Sequence, residues 1–359
     1  MLLDGIHVPL TTPFYPDGRL NLRKLEHNVR RLSLTPVSGL VALGSTGESA
    51  SLTDDERAQV LRTVGAEAAK EKVLLAGIGL PSVFASLALA QVASEARFDA
   101  VMVEPPIEYG NLLWDDGNAT TALLTYFEAI ADASPLPVVL VSDAARVVLP
   151  IALMERLSGH PNVLGLLEQS SHISRVVQMR ELTTSVARTV TTTITFTAAT
   201  ARMLHVPELA AAVGGSFVSA ASLSGAAAGE TAVATAPPVA ALKTRTKQVG
   251  FQVLWAMAEG ATEALRAGAS GLLMPIASAV PQAAFEVWAA WKDGDVSLMK
   301  EKQGRLATAE QGIAPWDIPA IKAGSELSGY FGGRPRLPLL PVTGERAAEI
   351  ATRLRGMRS

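Results

Sequence analysis

Directly after an apolar run at residues 39–43, the chain reads Gly44-Ser45-Thr46-Gly47-Glu48. Two glycines let the backbone turn tightly, so that successive amides and two hydroxyls can converge on one small anion, and a carboxylate has the right size. An ordinary strand-to-helix turn would use the same residues. Charged side chains fall at or just after the ends of other apolar runs: Glu104, Asp143, Glu168 and Glu259. Glu168 is a candidate general base, because burial at such a position raises a carboxyl pKa toward the range where proton transfer works. A carboxylate tied to neighbouring loops is the plainer reading. Carboxylates gathered at one end of a fold can also hold a divalent cation. The 5 histidines, at positions 7, 27, 160, 172 and 205, show no ligand spacing, so no metal site is expected. With Cys 0, disulfides, thiolate metal sites, iron–sulfur clusters and cysteine nucleophiles are all excluded.

The elements that must position these groups alternate. Apolar runs at 6–10, 39–43, 73–78, 100–103, 137–141 and 163–167 suit strands buried on both faces. Stretches at 21–34, 53–69, 82–96, 120–133, 150–158 and 173–182 suit helices, and Thr53-Asp54-Asp55-Glu56 reads as a capping box. Repeated right-handed βα units return each strand to the same sheet, in a closed (β/α)8 barrel or an open doubly wound sheet. Thr11-Thr12-Pro13-Phe14 follows the first strand where a dinucleotide-binding sheet would carry its glycine-rich turn, so the expected fold is an α/β TIM barrel. The rhythm breaks at 183–247, which is rich in Ala, Thr, Ser and Val. Read as an insertion before strand 7, it suits burial against a neighbouring subunit, a lid over the barrel mouth or, at 222–238, a flexible linker. Alternatively its 189–196 and 214–223 segments supply strands of the barrel. Residues 253–257, 261–267 and 271–276 then read as strand 7, helix 7 and strand 8. The expected organisation is a barrel over 1–280 and a C-terminal helical segment over 281–359.

Composition narrows the function classes. The 359 residues are 48% apolar and 18% charged with a formal net charge of −3, which suits a large buried core and not a disordered chain. The sequence pI is near 6.0, and no Lys/Arg block is present to neutralise phosphates, so neither nucleic acid nor a membrane surface is an expected partner. Residues 1–7 carry no secretory pattern, and the uncharged stretch at 209–229 is interrupted by Gly and Ser and dominated by Ala. The expected location is cytoplasmic. Trp114, Trp255, Trp288, Trp291 and Trp316 read as packing residues.

His7-Val8-Pro9-Leu10-Thr11-Thr12-Pro13-Phe14 with Asp17-Gly18, followed by Gly44-Ser45-Thr46-Gly47-Glu48 and Leu52-Thr53-Asp54-Asp55-Glu56-Arg57, resembles the dihydrodipicolinate synthase/N-acetylneuraminate lyase family. The resemblance continues through Ala76-Gly77-Ile78-Gly79, Leu136-Pro137-Val138-Val139-Leu140 and Asn162-Val163-Leu164-Gly165. It resumes at Ala267-Gly268-Ala269-Ser270-Gly271 and reaches Arg334-Pro335-Arg336-Leu337-Pro338-Leu339. It covers most of 1–182 and 250–359. It implies a (β/α)8 barrel with C-terminal helices, assembled as a homotetramer of tight dimers or as a homodimer, with no cofactor. The chemistry it implies is carbon–carbon or carbon–oxygen lysis of a 2-oxo acid through a lysine Schiff base. It also implies that Ser45, Thr46 and Gly47 hold the substrate carboxylate and that Arg146 assists, a role a guanidinium suits.

Two positions depart from the family pattern. Gly165-Leu166-Leu167-Glu168 places Leu167 where the family has its imine-forming lysine, and Leu140-Val141-Ser142-Asp143 places Val141 where it has a proton-relaying tyrosine. The family's second tyrosine pair is replaced by Pro106-Ile107, with Tyr109 nearby. Residues 137–182 hold no lysine, so no change of register restores one. Lys70 and Lys72 precede strand 3, Lys24 lies on an outer helix, and Lys292, Lys300, Lys302 and Lys322 belong to the C-terminal helices. Only Lys243 and Lys247 remain for delivery to the mouth. Two readings follow: a lyase-family enzyme that binds a small 2-oxo or hydroxy acid without imine chemistry, and a non-catalytic carboxylate-binding or assembly protein on the same scaffold.

Overall fold

The structure, a computed structural model, describes residues 1–106, 119–205 and 242–357. Strands β1 (Gly5–Pro9), β2 (Gly39–Ala42), β3 (Val73–Gly77), β4 (Ala100–Val103), β5 (Val138–Ser142) and β6 (Val163–Glu168) pair in parallel. Strands β7 (Arg188–Thr193) and β8 (Thr244–Val249) leave this sheet, and β9 (Gln252–Trp255) and β10 (Gly271–Leu272) close it against β6 and β1. The expected TIM barrel is present, and its strands 7 and 8 are β9 and β10. Along β3 the pleat sends Val73 and Leu75 inward to meet Val41, Met102, Val139 and Leu254. Leu74 and Ala76 go outward to the helix layer. Burial on both faces is why the strands read as continuous apolar runs. Helix Asp54–Glu67 starts on the expected capping box: Thr53 Oγ1 accepts from Glu56 N–H at 3.3 Å, and Thr53 N–H donates to Glu56 Oε2 at 3.0 Å.

The 189–196 segment does not supply a barrel strand. Arg188–Thr193 pairs antiparallel with Thr244–Val249, in register from Arg188 opposite Val249 to Thr193 opposite Thr244. This pair lies at the N-terminal ends of the barrel strands. Arg188 Nη2 donates to the carbonyls of Ser158, His160 and Val163 at 2.6, 2.9 and 2.7 Å, just ahead of and at the start of β6. Ala201 N–H donates to Asp99 Oδ1 at 2.7 Å, while Thr200 and Arg202 donate to the carbonyls of Lys70 and Lys72 ahead of β3. Ala198 packs against the interior cluster from below. The described part of the insertion therefore seats on the face opposite the mouth and is not a lid. Lys243 and Lys247 are exposed there, so they do not supply the mouth with an amine. Tyr109, Trp114 and the 214–223 and 222–238 segments lie outside the described residues.

Four helices, Pro281–Asp293, Val296–Ile313, Asp317–Leu327 and Glu345–Arg353, form the C-terminal segment. Among the described residues no helix is long and apolar enough to cross a membrane.

Candidate active site

The C-terminal ends of the strands surround a cavity of about 570 Å³. Its floor is apolar, made by Val41, Met102, Val141, Leu167 and Leu273 from the barrel interior. Val141 and Leu167 are partners in the β5–β6 register, and both are buried. No lysine, tyrosine or histidine lines this cavity among the described residues.

On one side stands the glycine-bounded loop. Ser45–Gly47 makes a single turn of 3-10 helix, flanked by Leu43 at φ 60° and Glu48 at φ 54°. These left-handed conformations reverse the chain twice within a few residues and aim the loop at the cavity. Gly47 N–H donates to Gly44 O at 3.0 Å and Glu48 N–H to Ser45 O at 2.9 Å. The amides and hydroxyls of Ser45 and Thr46 have no hydrogen-bond partner among the described residues, and both residues line the cavity. Four donors on two adjacent residues can take one carboxylate. Gly47 has a different place from the one expected: it does not line the cavity, and its carbonyl accepts from Thr12 Oγ1 at 2.6 Å. A Cβ at Gly47 would sit 3.0 Å from Leu10 O, so the glycine serves the close packing of the loop on β1.

Glu48 anchors the loop from behind. One carboxylate oxygen accepts from Lys322 Nζ and the other from Arg336 N–H at 2.7 Å. Lys322 also donates to Thr12 O at 2.9 Å and Arg334 O at 3.0 Å, and its ammonium lies 4.6 Å from the Phe14 ring centroid. Burial pulls its pKa down, against the raising effect of Glu48. All three of its N–H donors are engaged, and it does not line the cavity. The sequence placed Lys322 on a C-terminal helix but gave no sign of this contact.

Arg146 lines the cavity after β5, as the resemblance implies, yet its guanidinium is already engaged. Its Nη1 lies 2.9 Å from Glu104 Oε2 and its Nε 3.8 Å from Asp143 Oδ2. Burial raises the Glu104 pKa, Arg146 opposes this, and Asp143 adds to it. Asp317, which nothing in the sequence alone singles out as a site residue, also lines the cavity, at φ 42° and ψ −127°. Its pKa is raised by burial first, with Asp143 contributing. Strained backbone of this kind persists where the surroundings hold it. The only sequence signal was an acidic residue at a helix start after Pro315-Trp316.

Glu168 is not at the mouth. It is fully buried behind the barrel wall, where Oε2 accepts from Arg175 Nε at 2.9 Å and Oε1 from Ser170 N–H at 2.9 Å. Adjacent strand residues face opposite sides, and Leu167 takes the inner one. Glu259 bonds Gln311 Nε2 at 3.0 Å and stays outside the cavity, as does exposed His172. Among the described residues no three His, Cys, Asp or Glu side chains come together as a metal-binding group.

Comparison with known proteins agrees with this architecture. A family model described as the dihydrodipicolinate synthetase family matches residues 2–190, just over half of the chain. The chain is 27% identical over 359 residues to a 4-hydroxy-tetrahydrodipicolinate synthase from Acidiphilium cryptum, covering 99% of each. It is 25% identical over 368 residues to an L-threo-3-deoxy-hexylosonate aldolase from Aspergillus niger, covering 99% of this chain and 95% of that one. Among solved structures, a prophage protein of the dihydrodipicolinic acid synthase family from E. coli K12, in complex with pyruvate, shares the fold. Its TM-score is 0.74 at 22% identity over 99% of each chain. The chain is thus a member of the dihydrodipicolinate synthetase family.

Proposed function

We propose that this protein is a lyase-family enzyme that holds a small 2-oxo or hydroxy carboxylic acid at the barrel mouth through Ser45 and Thr46 and acts on it without a Schiff base. One observation carries the reading: Ser45 and Thr46, whose donors are unpartnered among the described residues, line a cavity whose floor offers Val141 and Leu167 and no amine among the described residues. The pyruvate bound to the E. coli relative supports the ligand class. An open mouth bearing Glu104, Asp143 and Asp317 favours a working enzyme over the alternative, a non-catalytic carboxylate binder or assembly protein, for which an apolar, collapsed mouth is expected. Homotetrameric or homodimeric assembly belongs to the same proposal and is read by light scattering.

The test is reduction with borohydride in the presence of pyruvate. The expected intact mass is that of the unmodified chain. A stable pyruvate-derived adduct would overturn the non-imine reading.

A further inference from the structure

The two halves of the rim stand across strand β3, and β3 ends without side chains between them. Gly77 and Gly79 both line the cavity. A Cβ at Gly77 would lie 2.3 Å from Leu43 O, and one at Gly79 would lie 2.5 Å from Glu104 N. These glycines let the Ser45–Thr46 turn after β2 and Glu104 after β4 close in on the same space. Two strand spacings put their backbones about 10 Å apart, roughly the length of a three-carbon acid plus one close contact at each end. Glu104 is a quarter exposed, and its shortest ion-pair contact runs from Oε2 to Arg146 Nη1 at 2.9 Å. Oε1 accepts no hydrogen bond among the described residues.

Resting on the proposed binding of a 2-oxo acid, we propose that Glu104 is the acid–base residue of this site, moving a proton on and off carbon 3 of the bound acid. The C3–H bond breaks and its proton goes to Oε1. The electron pair becomes the C2–C3 double bond, and the charge passes to the 2-oxygen as an enolate. In the reverse step the carboxyl returns the proton to carbon 3, so no other reactant is consumed. Arg146 couples the two charges. Once Glu104 takes the proton, the guanidinium loses its nearest counter-ion and its charge is available to the enolate oxygen. Burial and Asp143 both favour the protonated form of Glu104, which brings its basicity closer to that of its task.

The test is deuterium uptake by the methyl group of pyruvate in D2O, followed by proton NMR, beside calorimetric binding of pyruvate. Wild type is expected to exchange well above a protein-free blank, with a rate that rises as Glu104 ionises. Glu104→Gln, which removes a negative charge beside Arg146, is expected to bind pyruvate at least as tightly as wild type and to lose exchange by roughly 100-fold or more, the scale of a lost general base. Glu104→Asp, which keeps the carboxylate and its charge on Arg146, is expected to restore part of the exchange. Wild type that binds but does not exchange, or Glu104→Gln that exchanges like wild type, overturns the role of Glu104 and leaves carboxylate binding standing. Absence of pyruvate binding in wild type overturns both.

Discussion

Replacing Lys322 with methionine removes the cation that Glu48 faces but keeps much of the side-chain volume. Both side chains are 1% exposed, so the remaining carboxylate has no route to water. It keeps the Arg336 amide at 2.7 Å and loses its ionic partner, while the carbonyls of Thr12 and Arg334 lose their N–H donor. Breaking a buried pair from one side costs about 3–5 kcal/mol, most of it from the uncompensated charge. Lys322→Met/Glu48→Gln removes that charge while keeping an oxygen for Arg336. The double variant is expected to recover roughly 2 kcal/mol of the loss. Urea denaturation of wild type, both single variants and the double variant at neutral pH closes the cycle. Because Glu48 directly follows the turn that carries Ser45 and Thr46, pyruvate affinity is expected to fall in Lys322→Met along with stability. A single variant within about 1 kcal/mol of wild type, or a double variant as unstable as the sum of the singles, would refute the assignment of Lys322 as the loop's buried counter-ion.

Burial pushes the Glu310 carboxyl from 4.5 up to about 7, with Glu259 adding to the rise and the Ala258 amide opposing it. The folded state therefore binds more protons than the unfolded state between those values. The stability is fully present below about pH 4.5 and is lost as pH rises through 7, by roughly 3 kcal/mol at 1.36 kcal/mol per pH unit. Glu310→Gln is expected to match wild type near about pH 4.5 and to be more stable near about pH 8, where an unchanged difference in denaturation midpoints would count against it. Glu168→Gln leaves Arg175 buried against a neutral partner. It should cost about 2–4 kcal/mol in denaturation while leaving pyruvate affinity unchanged, whereas lost affinity at full stability would restore Glu168 to the mouth.

The barrel was legible because its signals are local. Apolar runs on β1 to β6, the Thr53–Glu56 box and the absence of a glycine-rich turn after β1 need only near neighbours to be read. The inward or outward direction of a side chain late in a strand depends on every residue before it. Strict alternation from inward-facing Leu164 would turn Leu166 and Glu168 inward and Leu167 outward. The β5–β6 register shifts between Val138 and Val139, where Val163 gives way to Gly165 as the next partner. Only a glycine fits there, since a Cβ would lie 2.0 Å from Gln252 O. Past that irregularity the faces exchange, so Leu167 joins the interior and Glu168 goes to Arg175. The rest of the site depends on residues far apart in the chain. Lys322 meets Glu48 across the whole barrel sequence, and Asp317 reaches the cavity from the C-terminal segment. Arg146 was found by its position, but its capture by Glu104 and Asp143 required two strand ends to be set side by side. The insertion's side of the barrel was likewise decided by Arg188, Thr200 and Arg202 seeking carbonyls at the strand starts.

The central claim is that Ser45 and Thr46 still hold a carboxylate above a floor that lacks an amine. Calorimetric titration with pyruvate and a small panel of 2-oxo and hydroxy acids tests it most directly, with Ser45→Ala/Thr46→Val run beside wild type. The account predicts saturable binding to wild type and a loss of at least about tenfold in the double variant, the effect of removing two hydrogen bonds to a charged group. Binding that survives the double substitution unchanged, or no binding to wild type by any acid of the panel, would contradict it.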